Sequence, residues 1–202
     1  MSWLTEYQKE HTRVLNSIDQ RTFDSLLEVI MAAQKKKKKI FVIGNGGSAA
    51  NASHFVEDLG KGAGDALAGG HFAKVTGVEV PRFRVLGLTD SVPYITALGN
   101  DQDFDQVFVG QLKTLADEGD LLIGISVSGT SPNLVEAFKW ASKNKLKTVA
   151  LVSRKARDKV DSIYASSNHL GICIDSEHYG IVEDVQMTLL HQICYYIMER
   201  LE

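Results

Sequence analysis

The chain has 202 residues, 44% hydrophobic and 23% charged, with a formal net charge of −3. That is enough chain for one α/β domain with its own core, and the charge balance offers no global field toward nucleic acid or an anionic membrane. Its two cysteines, Cys173 and Cys194, fit no CxxC or zinc-ribbon spacing, which argues for reduced thiols in a cytoplasm. The charged opening MSWLTEYQKEHTRVL lacks a signal-peptide apolar core, and the longest apolar runs are strand-sized, so a cytoplasmic protein without membrane segments is expected.

Residues 1–34 read as helical. Leu15, Ile18, Phe23, Leu26, Leu27, Ile30 and Met31 recur at three- and four-residue spacings, with no Pro or Gly. A break between two helices is expected at residues 17–19 or at Asp24. The segment 1–35 carries more apolar stripe than one sheet face needs, so it is assigned to packing on a partner subunit; residues 36–202 form the α/β core of a single domain. The lysine run 35–39 reads as the solvated C-terminal turn of a helix, where cations suit the macrodipole.

Residues 40–43 (IFVI) are a short β-branched and aromatic strand, followed at once by GNGGS and an alanine-rich helix through Leu59. Residues 60–81, rich in Gly and small side chains, read as a long loop. Residues 82–88 are a second strand, 91–98 and 105–115 helices, and 120–126 a third, buried strand. That strand ends in SVSGTS, and Pro132 begins a helix running to about Asn144. Further strands are predicted at 148–152 and 170–174, with helices at 155–165 and 182–201. Strands alternating with helices predict a doubly wound five-stranded parallel sheet with right-handed crossovers, its strands nearly all apolar because both faces are covered.

Ligands of such sheets bind outside the carboxyl ends of the strands, and both Gly/Ser turns leave such ends. In the first turn Gly46 and Gly47 permit close backbone approach, Asn45 is placed to brace the bend, and Ser48 lies at the start of a helix whose free amides attract an oxyanion. The second turn gathers Ser126, Ser128, Gly129, Thr130 and Ser131, enough hydroxyls and amides to surround a phosphate without lysine. Ser131, just before Pro132, is also a good helix cap. No GxxxxGK[ST] is present, and GNGGSA lacks the third glycine of a dinucleotide fingerprint, so neither a P-loop nor a dinucleotide site is expected.

The strings GNGGSAANASHF, ALGND, GISVSGTSPNLVEAF and LLHQI together resemble the SIS (sugar isomerase) domain, within it the phosphoheptose isomerase group that acts on sedoheptulose 7-phosphate. The resemblance implies a flavodoxin-like sheet with N-terminal helices, commonly a homotetramer with sites shared between subunits. It assigns phosphate to Ser126, Ser128 and Ser131, and substrate contact to Asn45, Ser48 and Asp101. It implies ketose–aldose isomerisation of a seven-carbon sugar phosphate, with a non-catalytic sugar-phosphate sensor or assembly protein as the alternative.

Such a reaction moves a proton between adjacent carbons through an enediol and needs one base and one acid. His54 and Asp58 share a helix face four residues apart, and His191 lies mid-way along the last helix. The resemblance puts the base at Asp58 and the acid at His191. Glu57 is an adjacent carboxylate about 100° away around the helix. The resemblance also implies either no required cofactor or a Zn²⁺ held by His54, Asp58, Glu183 and His191. Typical members carry Glu at the Asp58 position and Gln at the Glu183 position; an aspartate is shorter by one methylene, which moves a reacting oxygen by about 1 Å. Glu183 lies about 80° from His191 around the helix while Asp184 nearly superposes on it, leaving open which faces the cleft. Lys61, Lys74, Arg82, Arg84, Arg154, Lys155 and Arg157 are further candidate anion contacts, and His71 and His178 are expected on the surface.

Overall fold

The computed structural model describes residues 2–77, 79–156 and 168–200. Two helices open the chain, α1 (Trp3–Leu15), capped by the Ser2 hydroxyl, and α2 (Gln20–Lys35), capped by the Asp19 carboxylate. The break falls at the predicted 17–19, where Asp19 supplies the second N-cap. The sheet follows with strands β1 (Lys39–Ile43), β2 (Arg84–Gly87), β3 (Leu121–Ile125), β4 (Lys147–Ser153) and β5 (His169–Ile174). All pairings are parallel and the order is β2-β1-β3-β4-β5, the doubly wound arrangement expected.

Helix α3 (Gly47–Glu57) leaves the first turn. Residues 60–81 are not the loop their composition suggests. The chain continues from α3 through a π-helical turn (Asp58–Ala63) into α4 (Gly64–Gly69) and α5 (His71–Thr76). Leu59, Ala63 and Leu67, spaced by four, are buried and extend the apolar stripe of α3 into the core, and that burial outweighs the low helix propensity of the intervening glycines. The remaining helices are α6 (Val92–Asp101), α7 (Val109–Leu115), α8 (Pro132–Lys143) and α9 (Tyr179–Arg200). The predicted helix at 105–115 is split: Phe104–Gln106 forms a 3₁₀ turn before α7. The helix predicted at 155–165 lies outside the described residues from 157 on, and so does Arg157.

Strand alternation divides the core in two. Ile40, Val42, Leu121, Ile123, Val149 and Leu151 face α2, α3 and α9, whereas Phe41, Ile43, Leu122, Ala150 and Val152 face α7 and α8. The lysine run ends α2 and starts β1: Lys37 takes a left-handed φ of 54°, Lys38 donates to the Glu118 carbonyl, and Lys39 pairs with Asp117 at 2.5 Å and buried Asp120 at 3.3 Å. These contacts lock the amino end of the sheet, opposite the turns. Among the described residues no helix is long and apolar enough to cross a membrane.

Candidate active site

The two Gly/Ser turns lie side by side because β1 and β3 are neighbours in the sheet, with Ile43 in register with Gly124. Each turn bends at a glycine of positive φ, Gly46 at 56° and Gly129 at 62°, a conformation that favours glycine. In the second turn the buried Ser126 hydroxyl accepts from the Gly129 amide at 3.0 Å, and the Ser128 hydroxyl accepts from the Thr130 amide at 3.5 Å. Ser131 precedes α8 but its side chain makes no capping hydrogen bond, contrary to expectation. The side-chain Oδ1 of Asn133 instead accepts the Leu134 amide at 3.0 Å, which leaves the Ser131 hydroxyl for other partners.

Sequence reasoning missed Asn133. Its amide exchanges two hydrogen bonds with the Asn45 amide, 2.9 Å in each direction, and ties the first turn to the second. The signal available was a polar residue in the first turn of α8, at a position that proves only 2% exposed. Gln186 was also missed. Wholly buried on α9, it donates to the carbonyls of Leu151 at 2.9 Å and Ser126 at 3.3 Å, so the last helix is docked against the base of the serine turn.

His54, Asp58 and His191 converge. Asp58 Oδ2 lies 3.5 Å from His54 Nε2 and 3.4 Å from His191 Nε2, and the imidazoles meet edge-on with centroids 4.9 Å apart. Asp58 stands at the junction of α3 and the π-helical turn, a local irregularity that re-aims side chains. Its Oδ2 is buried and accepts no hydrogen bond among the described residues. Behind it, burial pushes the Cys194 thiol up to about 12, the charges of Asp58 and Glu57 adding to the effect; this sulfur is no nucleophile near neutral pH.

Other candidates fall elsewhere. Glu57 turns outward to Lys61 at 3.4 Å and does not join the imidazole pair. Glu183 is not among the donors that gather around Asp58. Its carboxylate lies over the first turn, so close that a Cβ on Gly47 would be 2.6 Å from both oxygens, and its carbonyl accepts from Asn51 at 3.0 Å. Asp184 points to the other side, 3.8 Å from His11 of α1. Ser48 is buried at the start of α3, while Asp101 is exposed at the end of α6 and accepts from Asn100. The basic candidates are mostly engaged internally: Arg82 with Asp65, Arg84 with the Lys37 carbonyl, Arg154 with Asp175 and Lys155 with Glu177. His178 is exposed and packs edge-on against Tyr7.

The SIS domain family matches residues 6–153. A probable phosphoheptose isomerase of Thermoplasma acidophilum is 32% identical over 195 residues, covering 96% of this chain and 97% of the relative. The phosphoheptose isomerase of Laribacter hongkongensis is 32% identical over 173 residues, 86% of this chain and 81% of that one. Among solved structures, the phosphoheptose isomerase of Neisseria gonorrhoeae superposes with a TM-score of 0.79 at 27% identity, covering 96% of both chains. A phosphoheptose isomerase from Francisella tularensis, 22% identical, shares the fold with a TM-score of 0.81 over 99% of this chain and 100% of that one.

Proposed function

We infer the activity from one premise: this chain belongs to the SIS domain family. It is a phosphosugar isomerase that interconverts a ketose phosphate and an aldose phosphate through an enediol. Its relatives are named phosphoheptose isomerases, which favours a seven-carbon sugar phosphate, and sedoheptulose 7-phosphate is the substrate proposed. The observation that carries the reading is the meeting of Asp58 with His191 and His54 beside two turns built to hold an oxyanion.

In the forward step, the Asp58 carboxylate removes the proton from the carbon next to the carbonyl. Protonated His191 delivers a proton to the carbonyl oxygen, and the C–H electron pair becomes the enediol double bond. In the second half the hydroxyl that the substrate already carried, on the deprotonated carbon, gives its proton to His191 as that carbon becomes the new carbonyl, and Asp58 passes its proton to the former carbonyl carbon. Both groups end as they began, as a proton-neutral isomerisation requires. The phosphate sits on the hydroxyls of Ser128 and Ser131 and on the amides of the second turn, with Ser126 and Thr130 shaping it. Asn45, Ser48 and Glu183 border the sugar from the first turn.

The donor set also suits a metal. Two imidazoles and a buried carboxylate oxygen without a hydrogen-bond partner, their ligand atoms within 4.8 Å of one another, match the ligand types of zinc. His54, Asp58 and His191 would hold Zn²⁺, and when bound it would polarise the carbonyl oxygen as a Lewis acid. A homo-oligomer, with a tetramer as the form expected, is part of this reading: Trp3, Tyr179 and Tyr195 on α1 and α9 are more than half exposed, aromatic surface of the kind that subunit contacts bury.

The test is direct. Purified protein, with and without Zn²⁺, is incubated with a panel of ketose phosphates and followed by NMR. Appearance of the aldose phosphate supports the reading. An unchanged panel overturns it, and ligand-dependent thermal stabilisation without turnover assigns the chain to the non-catalytic sensors.

A further inference from the structure

The Asn45–Asn133 pair bridges the two turns, and its geometry is reciprocal. Each amide donates once and accepts once at 2.9 Å, and Asn133 also accepts from Leu134. Asn45 stands between the end of β1 and α3, and its own carbonyl accepts the Ala49 amide at 3.3 Å. Helix α3 leads on to His54 and Asp58. Asn133 stands in the first turn of α8, two residues after Ser131. The pair therefore joins the element that carries the base to the element that holds the phosphate.

We propose that Asn133, acting through Asn45, is a positioning residue that sets the span between phosphate turn and proton-transfer site, and so the carbon-chain length accepted. This rests on the isomerase site described above. An open-chain sugar phosphate is anchored at one end by its phosphate and must present a carbon near the other end to Asp58. One carbon more or less displaces that atom by more than 1 Å, a misplacement of the size that costs about 10²-fold in rate. The site selects length only if the two turns hold a fixed separation. Strand pairing of β1 with β3 fixes their bases, and the doubly hydrogen-bonded amides, one of them buried, fix the bends above. Neither amide needs to touch the reacting atoms.

The experiment uses the full chain and unreactive probes: inorganic phosphate and the alditol phosphates of five, six and seven carbons, titrated calorimetrically. Wild type is expected to prefer one length by about tenfold or more, the worth of a hydrogen bond or two lost on misregistered hydroxyls. In N133A that preference falls below about threefold, while inorganic phosphate binds within about threefold of wild type because the serine turn keeps its own hydrogen bonds. N133S, which keeps a small polar side chain at the buried position but cannot make both hydrogen bonds to Asn45, is expected to behave alike and serves if N133A does not fold. Variants that keep the wild-type preference overturn the inference, as does a parallel loss of phosphate and all alditol phosphates. A wild type that binds all three lengths equally overturns it and leaves the isomerase reading standing. A wild type that binds neither phosphate nor alditol phosphates removes the site itself and this inference with it.

Discussion

Asp58 Oδ2 lies 3.4 Å from Nε2 of His191, on a different helix, and is buried without a hydrogen-bond partner among the described residues. A buried carboxylate oxygen left unmatched is unfavourable for folding, and such groups are kept where chemistry or a ligand uses them.

The first prediction follows from that oxygen. Asp58→Asn and His191→Ala lower turnover by about 10²–10⁴-fold, the usual contribution of one positioned acid or base. Binding of the unreactive seven-carbon alditol phosphate stays within about threefold of wild type, because the serine turn is untouched. Steady-state kinetics and titration on the same preparations check both halves. Glu57→Gln leaves turnover within about twofold, since its carboxylate faces Lys61.

Zinc provides the second. If His54, Asp58 and His191 hold it, Zn²⁺ at a hundredfold excess over its dissociation constant stabilises the fold by about 2.7 kcal/mol, a rise of roughly 5 °C or more in melting temperature for a chain of this size. His54→Ala and Asp58→Asn abolish the rise. Glu183→Ala keeps it, because Glu183 lies over the first turn and not with the other three.

The sheet and both turns were legible because their signals are local. Apolar runs such as LLIGI and FVI, each followed by Gly and Ser, can be read without knowing what packs on them. The convergence of Asp58 and His191, the proposed base and acid, was legible only through the resemblance, since they are 133 residues apart and nothing local joins them. Three features were not legible. The glycines of 60–81 suggest a loop, whereas burial of Leu59, Ala63 and Leu67 keeps the chain helical. Ser131 looks like a cap by type, yet Asn133 takes the amide. The free choice between Glu183 and Asp184 was settled by packing, with α3 on one side of α9 and α1 on the other.

Two serines of one turn separate stability from binding. The Ser126 hydroxyl is buried and accepts the Gly129 amide, so Ser126→Ala removes that hydrogen bond from the turn and destabilises the fold by about 0.5–1.5 kcal/mol. The Ser131 hydroxyl caps nothing. Ser131→Ala is expected to shift stability by under about 0.5 kcal/mol while weakening phosphate binding about tenfold. Urea unfolding and phosphate titration, run in parallel, distinguish the two.

Acid stability tests the docking of α1. The hydrogen bond from Arg13, assisted by the charge of Arg154, holds the Asp175 carboxyl below the usual aspartate value. Arg13 also donates to the Asp175 carbonyl at 2.7 Å, so the network pins α1 to the end of β5. Because the folded value is the lower one, this contribution is fully present above the unfolded value of about 3.9. It is lost as pH falls through the depressed folded value. Urea midpoints measured from pH 6 down to pH 2 should fall less steeply below pH 4 in Asp175→Asn than in wild type. Equal slopes would remove Asp175 from the acid transition.

Gly47 and Glu183 make the last case. Gly47 opens α3 with no left-handed φ, so alanine there would ordinarily favour the helix by about 0.5–1 kcal/mol. Its Cβ would instead land 2.6 Å from both Glu183 oxygens. Those oxygens end a flexible side chain that can swing away, so Gly47→Ala stays within about 1 kcal/mol of wild type in stability. What changes is where the carboxylate sits. If Glu183 borders the sugar from the first turn, Gly47→Ala and Glu183→Ala raise KM by similar factors, and the double variant is no worse than either alone, the non-additivity expected of two residues acting through one contact. Additive effects would show that the two glycine-side and glutamate-side changes act separately, and that the close approach at the start of α3 has no part in holding the substrate.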